Sequence, residues 1–166
     1  MATVTIRPIS NGYYVGGTAS GAPTNWECLD ELILDSDTTY VYMQAVGYYI
    51  MTYKYTQIPY RGYINNVSFC NYARVTGALD ASDIYQIIRT YNTNYSYAAG
   101  GGLSYALARI DLTENPYTNQ KWTWEEVNLV EYGGTATITS NPLSNQLRFS
   151  MSYIEITYQP RLTMMV

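Results

Sequence analysis

Trp122-Thr123-Trp124-Glu125-Glu126-Val127-Asn128-Leu129-Val130 is the one stretch of this chain that does not read as strand and turn. Thr123 is followed three residues later by Glu126, the spacing of a capping box, in which each side chain satisfies a free amide at a helix start. Trp122 precedes the cap and Val127 falls at the fourth helical position, the pair that closes a hydrophobic staple. Gly133-Gly134 offers the left-handed conformation favoured just past a helix end, so the spacing predicts one short helix near residues 124–130. A helix of that length does not hold alone in water, because nucleation costs more than so few hydrogen bonds return. Trp122, Trp124, Val127 and Val130 must therefore be buried, and the helix is expected to plug one end of a pair of sheets.

Outward from this stretch the pattern is alternation. Ala2 to Arg7 places Val4 and Ile6 against Thr3 and Thr5, a first strand stopped by Pro8. Residues 10–25 read as a Gly-, Ser- and Asn-rich loop with one short strand around Tyr13-Tyr14-Val15. Trp26 to Leu34 leads into the turn Asp35-Ser36-Asp37, and Thr39 to Met43 is the next strand. Val46 to Tyr55 carries Tyr49, Met51, Tyr53 and Tyr55 on one face and Val46, Tyr48 and Ile50 on the other, so neither is a plain solvent face. Tyr63 to Val75 follows the break at Ile58-Pro59. Ala81 to Tyr91 fits a helical face at Ala81, Ile84, Tyr85 and Ile88, but its β-branched and aromatic content favours a strand from residue 84. Asn92 to Gly102 reads as a polar loop. Leu103 to Leu112 and Leu147 to Tyr158 each alternate and then change phase, the signature of a β-bulge or of a strand that bends between sheets. About eight strands with turns between them define the expected fold class: an all-β, jelly-roll-like β-sandwich with one short helix, as a single domain over residues 1–166.

Composition narrows the function. The 166 residues suffice for a core that needs no staples. The chain has 20 Tyr against two Phe, two Lys and no His. A net charge of −4 without a basic run argues against nucleic acid as a partner. No stretch approaches the ~20 apolar residues of a membrane helix, and MATVTIRPISNG lacks the apolar core of a secretory signal. Cys28 and Cys70 form no metal-ligand spacing and read as buried free thiols, with a disulfide as the alternative.

The absence of histidine excludes Ser-His-Asp and Cys-His catalysis. Phosphate-loop, dinucleotide and zinc patterns are also missing. Asp30, Glu31, Asp35, Asp37, Asp111, Glu114, Glu125 and Glu126 could serve glycoside-type acid–base chemistry. Glu126, however, has a capping role, and Asp35 and Asp37 sit where turns favour aspartate. Asp35-Ser36-Asp37 lacks the rest of a calcium loop. No catalytic residue, metal or cofactor is assigned, and the chain is expected not to be an enzyme.

The tyrosines carry more information. Some must pair across strands in the core, but 20 cannot all do so. Tyrosine rings at a surface make protein interfaces and sugar platforms, because they bury large area at little entropy cost. Tyr49, Tyr53 and Tyr55 on one strand face, and Tyr91, Tyr95 and Tyr97 in a loop, are the candidate contacts for a partner or a glycan.

Several of these stretches resemble a family of structural proteins coded in tailed-phage and environmental virus genomes. They are Trp26-Glu27-Cys28-Leu29-Asp30-Glu31, Thr39-Tyr40-Val41-Tyr42, Ile88-Arg89-Thr90-Tyr91-Asn92-Thr93-Asn94-Tyr95, and Asn115-Pro116-Tyr117-Thr118 running into Trp122-Thr123-Trp124-Glu125-Glu126-Val127-Asn128. Ser152-Tyr153-Ile154-Glu155-Ile156-Thr157-Tyr158 is similar to the family's closing strand, while Gly134-Thr135-Ala136 departs from its pattern. The resemblance implies a jelly-roll domain on a virion surface, as a capsid decoration or a fibre- or tail-associated component assembled in the host cytoplasm. The alternative is a carbohydrate-binding module or a receptor-binding tip. The chain is expected to assemble with itself and with other virion proteins. A cyclic homo-oligomer, a trimer by analogy with surface decorations, is one form, and lateral pairing in a lattice or fibre is the other. The apolar tail Met164-Met165-Val166 is expected to pack against a neighbour, and the sparse lysines leave strand edges poorly guarded.

Overall fold

The computed structural model describes residues 1–77, 80–99, 102–141 and 143–161; the tail residues Met164, Met165 and Val166 lie outside the described residues. The chain folds in the order β1 (Ala2–Ile6), β2 (Pro8–Val15), β3 (Thr18–Ser20), β4 (Tyr40–Met43), β5 (Gly47–Tyr55), β6 (Gly62–Val75), β7 (Asp80–Thr90), β8 (Thr93–Ala98) and β9 (Ala106–Leu112). The short hairpin β10 (Glu114–Asn115) and β11 (Gln120–Lys121) precedes the single helix α1 (Trp124–Leu129), and β12 (Glu131–Ser140) and β13 (Leu147–Pro160) close the chain.

One sheet has the order β3-β4-β13-β6-β9, with β1 also on β13; the other has the order β2-β5-β12-β7-β8. Every pairing is antiparallel. Set the first three strands aside, and the two halves are β4-β13-β6-β9 and β5-β12-β7-β8. Eight strands wound in that order make a jelly roll of two Greek keys. The protein is an all-β sandwich.

β13 explains its own phase change. Its register on β6 shifts between Phe149 and Met151, so Phe149 faces the core before the bulge and Ile154 and Ile156 face it afterwards. β9 carries no such shift. There the phase change is the passage from loop to strand: Leu103 and Tyr105 precede β9, Leu107 lies on its outer side, and Ile110 and Leu112 pack inward.

Four readings of the sequence are corrected by the fold. Pro8 does not end strand structure but opens β2, where an edge position needs no donor from it. The region of Asn92 to Gly102 is not all loop, because Tyr91 and Asn92 form a two-residue turn (φ 50° and 60°) that sends the chain straight back as β8. Gly133-Gly134 is not the helix stop. The helix ends at Val130 in extended conformation, and both glycines lie inside β12. A side chain at Gly133 would strike the Met51 carbonyl, and one at Gly134 would press on the Phe149 ring. Finally, Tyr53 and Tyr55 are core residues rather than surface contacts. They sit on the inward face of β5 with Met51, the two rings no more than 3% exposed.

The core is aromatic at its centre. Phe69 of β6 meets Tyr132 of β12 edge-on at 5.2 Å and Trp122 at 5.9 Å, and Tyr55 lies 6.2 Å from Tyr132. Buried phenols need partners. Tyr55 shares a hydrogen bond with Ser152 Oγ at 2.5 Å, Tyr132 donates to Gln86 Oε1, and Tyr53 donates to the Met51 sulfur at 3.0 Å. Cys28 and Cys70 are both buried and free, and burial pushes the Cys70 thiol up to about 11.

The helix closes one end of the sandwich. Thr123 Oγ1 accepts the Glu126 amide at 3.2 Å, and Glu126 Oε2 accepts the Thr123 amide at 2.8 Å. Trp124 and Val127 point into the core, where Trp124 Nε1 donates to the Gly62 carbonyl at 2.6 Å and its ring meets Tyr158 edge-on at 5.4 Å. Asn128 ties the helix to the β5–β6 loop through two 2.9 Å bonds with the backbone of Ile58.

Candidate functional site

The outer face of β5 is open to solvent at Tyr48, contrary to the expectation that neither face would be, and β2 covers it only around Thr52. Between Asn11 and Val15 the register of β2 on β5 is broken by a bulge. Gly12, Tyr13 and Tyr14 lift over the outer face of the sheet, where the Tyr14 amide donates to Thr52 Oγ1 at 3.2 Å. Gly12 has no room for a side chain, because Thr52 and the Glu131 carboxylate occupy that space. Glu131 Oε2 accepts the Tyr13 amide and the Thr52 hydroxyl, each at 2.7 Å. At its far end Tyr14 accepts a hydrogen bond from Asn94 on β8 at 3.1 Å. This strap covers Thr52 on what would otherwise be a solvent face.

Arg89 of β7 is held under the strap. Its guanidinium carbon lies 4.4 Å from the Tyr13 ring centre and 5.6 Å from that of Tyr14. Its nitrogens donate to the Asn92 carbonyl at 2.9 Å, to Asn92 Oδ1 at 3.1 Å and to Asn94 Oδ1 at 3.2 Å. The guanidinium thus fixes the β7–β8 turn from inside.

Tyr91 at the tip of that turn adopts a left-handed conformation, uncommon for a bulky residue. Two contacts hold it there. Its ring stacks on Tyr117 at 4.6 Å with 16° between the planes, and its hydroxyl donates to Glu126 Oε1 at 3.1 Å. That hydrogen bond, above all, raises the Tyr91 pKa from its ordinary value. Tyr117 is positioned by the Asn115-Pro116 turn, where Asn115 Oδ1 accepts the Tyr117 amide at 2.9 Å and Asn115 Nδ2 reaches Thr90 at 3.3 Å.

Between turn and helix lies a cleft of about 330 Å³ bounded by Arg89, Tyr91, Asn92, Glu125, Glu126 and Leu129. Most of its polar groups already have protein partners; the Glu125 side chain is exposed, and Leu129 is 78% exposed. A second cleft of about 460 Å³ lies between the β4–β5 turn and the loop after β12, with Tyr42, Gln44, Val46, Tyr49 and Asn141 on its walls.

The candidate tyrosines therefore part company. Tyr91 is exposed beside the first cleft; Tyr95 and Tyr97 lie on edge strand β8 and are half-buried. Tyr49 lines the second cleft and donates to the Ala45 carbonyl at 2.9 Å. Tyr53 and Tyr55 are in the core. Sequence reasoning missed Tyr13, Tyr14, Tyr117 and Arg89 as members of one cluster. Their only signal was the Tyr-Tyr island and the Asn-Pro turn, and chain separation hid the rest.

Asp35, Asp37 and Asp111 are engaged in holding the fold. Asp35 accepts from Thr39 N, Thr39 Oγ1 and Ser150 Oγ. Asp37 binds Arg74 at 2.6 Å, Arg148 at 2.7 Å and the Tyr105 hydroxyl at 3.1 Å. Burial raises its pKa, but these partners outweigh burial and leave it below the usual carboxylate value. Asp111 is held low by Ser68 first, then by Asn66 and Arg109, and Arg109 also reaches Glu155 at 2.6 Å. Among the described residues, no three His, Cys, Asp or Glu gather as a metal ion would require.

Fold and site together define a jelly-roll sandwich with an aromatic, strap-covered outer sheet and an open cleft at its helix end. No known protein family matches the sequence, and no curated protein matches it.

Proposed function

We propose that the protein is a non-enzymatic structural component of a virion surface, a capsid decoration or fibre- or tail-associated protein that works by contact with its own copies and with other virion proteins. The observation that carries this reading is the disposition of the tyrosines. Tyr13, Tyr48 and Tyr63 are each at least 65% exposed. Rings of this kind are common in protein interfaces. The engaged state of the aspartates at Asp35, Asp37 and Asp111, in a chain without histidine, supports a role without turnover. The test is to purify particles from the virus that codes for this chain and label them with antibody to the folded protein. Gold label on the outside of intact particles is the expected result; particles free of the protein would overturn the reading.

A second reading, glycan binding, is favoured by one feature: the stacked Tyr91–Tyr117 pair beside the cleft that Glu125 and Asn92 border. Aromatic faces beside hydrogen-bonding groups suit a sugar ring. Binding on a glycan array that disappears in Tyr91→Ala would favour this reading, and an array without hits would remove it.

A further inference from the structure

Among the described residues the two main sheets end in five edge strands, and these differ in how they are guarded. β2 is bulged and opens on proline, β9 carries Arg109 and Asp111, and β3 is only three residues long. Bulges, charges and short length are the usual protections against pairing with another chain. β1 and β8 have no such guard. The β8 sequence Thr93-Asn94-Tyr95-Ser96-Tyr97-Ala98 has no charge, no proline and no register shift on β7.

The hairpin geometry says which backbone groups of β8 are free. Thr90 and Thr93 close a two-residue turn, and paired residues in an antiparallel ladder alternate between bonded and non-bonded. Thr93, Tyr95 and Tyr97 therefore direct their amides and carbonyls to β7. The bond from the Ala99 amide to the Ile84 carbonyl at 2.9 Å continues the same alternation. Asn94, Ser96 and Ala98 direct theirs away from the sheet, all three residues are exposed, and their backbone groups have no partner among the described residues.

We infer that β8 is a self-pairing edge: two copies of this chain join β8 to β8 across a two-fold axis at Ser96, making one continuous ten-stranded sheet. The register follows from which groups are free. With Ser96 opposite Ser96 of the second copy, Asn94 falls opposite Ala98 at both ends, so every outward-facing amide and carbonyl finds its complement. About six hydrogen bonds result. Two-fold rotation about an axis normal to the sheet keeps each face on its own side, and this register sets Tyr95 opposite Tyr97 of the second copy. Those are the non-bonded positions, where side chains come closest and aromatic pairs contribute most. The occupant is a second copy because the uncharged side chains of β8 meet their own kind about Ser96, Tyr95 against Tyr97, with no like charges opposed. Pairing consumes both β8 edges, so this contact closes at the dimer instead of propagating.

The inference rests on the self-assembly part of the proposed function but fails separately from it. The test joins a register probe to an edge block, on the full chain. Ser96→Cys places a thiol on the axis, where opposed Cα atoms of a bonded pair lie about 5.5 Å apart, within disulfide reach. Ala98→Cys places thiols about 14 Å apart. The two native cysteines are buried and leave the background low. Under mild oxidation Ser96→Cys should give mostly crosslinked dimer and Ala98→Cys almost none. Ser96→Pro removes an amide that β7 does not use, so it should keep the monomer's circular dichroism and thermal transition while shifting sedimentation to the monomer. Equal crosslinking of both variants, or a Ser96→Pro protein that remains folded and self-associated, would overturn the interface. A monomer that still labels intact particles would remove this interface and leave the proposed role standing.

Discussion

The hydroxyl of Tyr91 lies 3.1 Å from Glu126 Oε1, while the other oxygen of the same carboxylate closes the helix cap on the Thr123 amide at 2.8 Å. One side chain thus joins the β7–β8 turn to the only helix of the described residues. Thr123→Ala should cost about 1 kcal/mol, the usual loss for an N-cap. Thr123→Ala leaves the residue-123 amide on the carboxylate, whereas Glu126→Ala removes that bond and the Tyr91 bond together and should also loosen the turn. Urea unfolding measures the first effect, and amide exchange at Asn92 and Thr93 reports the second.

Trp122 packs on Phe69 at 5.9 Å and is 3% exposed. Trp122→Ala should lose about 3–5 kcal/mol, as truncation of a buried aromatic does. A loss under about 1 kcal/mol in chemical denaturation would contradict the plug role of the helix.

The two glycines of β12 separate a backbone clash from a side-chain clash. At Gly134 an added methyl meets the Phe149 ring at 3.1 Å, and a ring can shift. Gly134→Ala should therefore fall in the overpacking range of about 1–3 kcal/mol. At Gly133 the obstacle is the Met51 carbonyl and the Thr52 backbone, which cannot move without opening the β5 ladder. Gly133→Ala should be clearly the worse of the two in soluble yield and melting temperature; equal effects would mean that the sheet gives more easily than its ladder implies.

Much of this architecture was legible in the chain, and the failures have physical causes. The helix could be read because Thr123 and Glu126 satisfy each other within one turn, and local chemistry survives any tertiary context. The faces of β5 could not be assigned, because Tyr53 and Tyr48 look alike in an alternation whose outer side is open at Tyr48 and covered at Thr52 by Tyr14, some forty residues away in the chain. β8 was hidden because its turn holds Tyr91-Asn92 where hairpins usually carry Asn-Gly or Asp-Gly. Only the contacts to Tyr117 and Glu126 make a tyrosine acceptable there. Gly133-Gly134 suggested a helix terminus, the commonest local use of glycine, whereas the reason for it is crowding between β5 and β12.

Alkaline pH should unfold the protein through its core. Burial raises the pKa of Tyr53, Tyr55 and Tyr132 above the ordinary 10.0 of tyrosine. In the unfolded chain these phenols ionise near 10.0, so the stability they contribute is intact below that pH and is lost as pH rises above it. Absorbance at 295 nm should show exposed tyrosines titrating first, and the buried set titrating together with loss of the near-ultraviolet dichroism. A single smooth titration of all tyrosines in a protein that stays folded would contradict the packing described above.

The central claim, that this sandwich works in contact with its own copies, is tested most directly by the mass of the full chain in solution. Light scattering at micromolar concentration, beside a variant cut after Leu162, should give a mass well above the 18.8 kDa of one chain. The cut variant should show whether the apolar tail adds to the association carried by β8. A monodisperse 18.8 kDa species for the full chain would contradict a stable oligomer in solution.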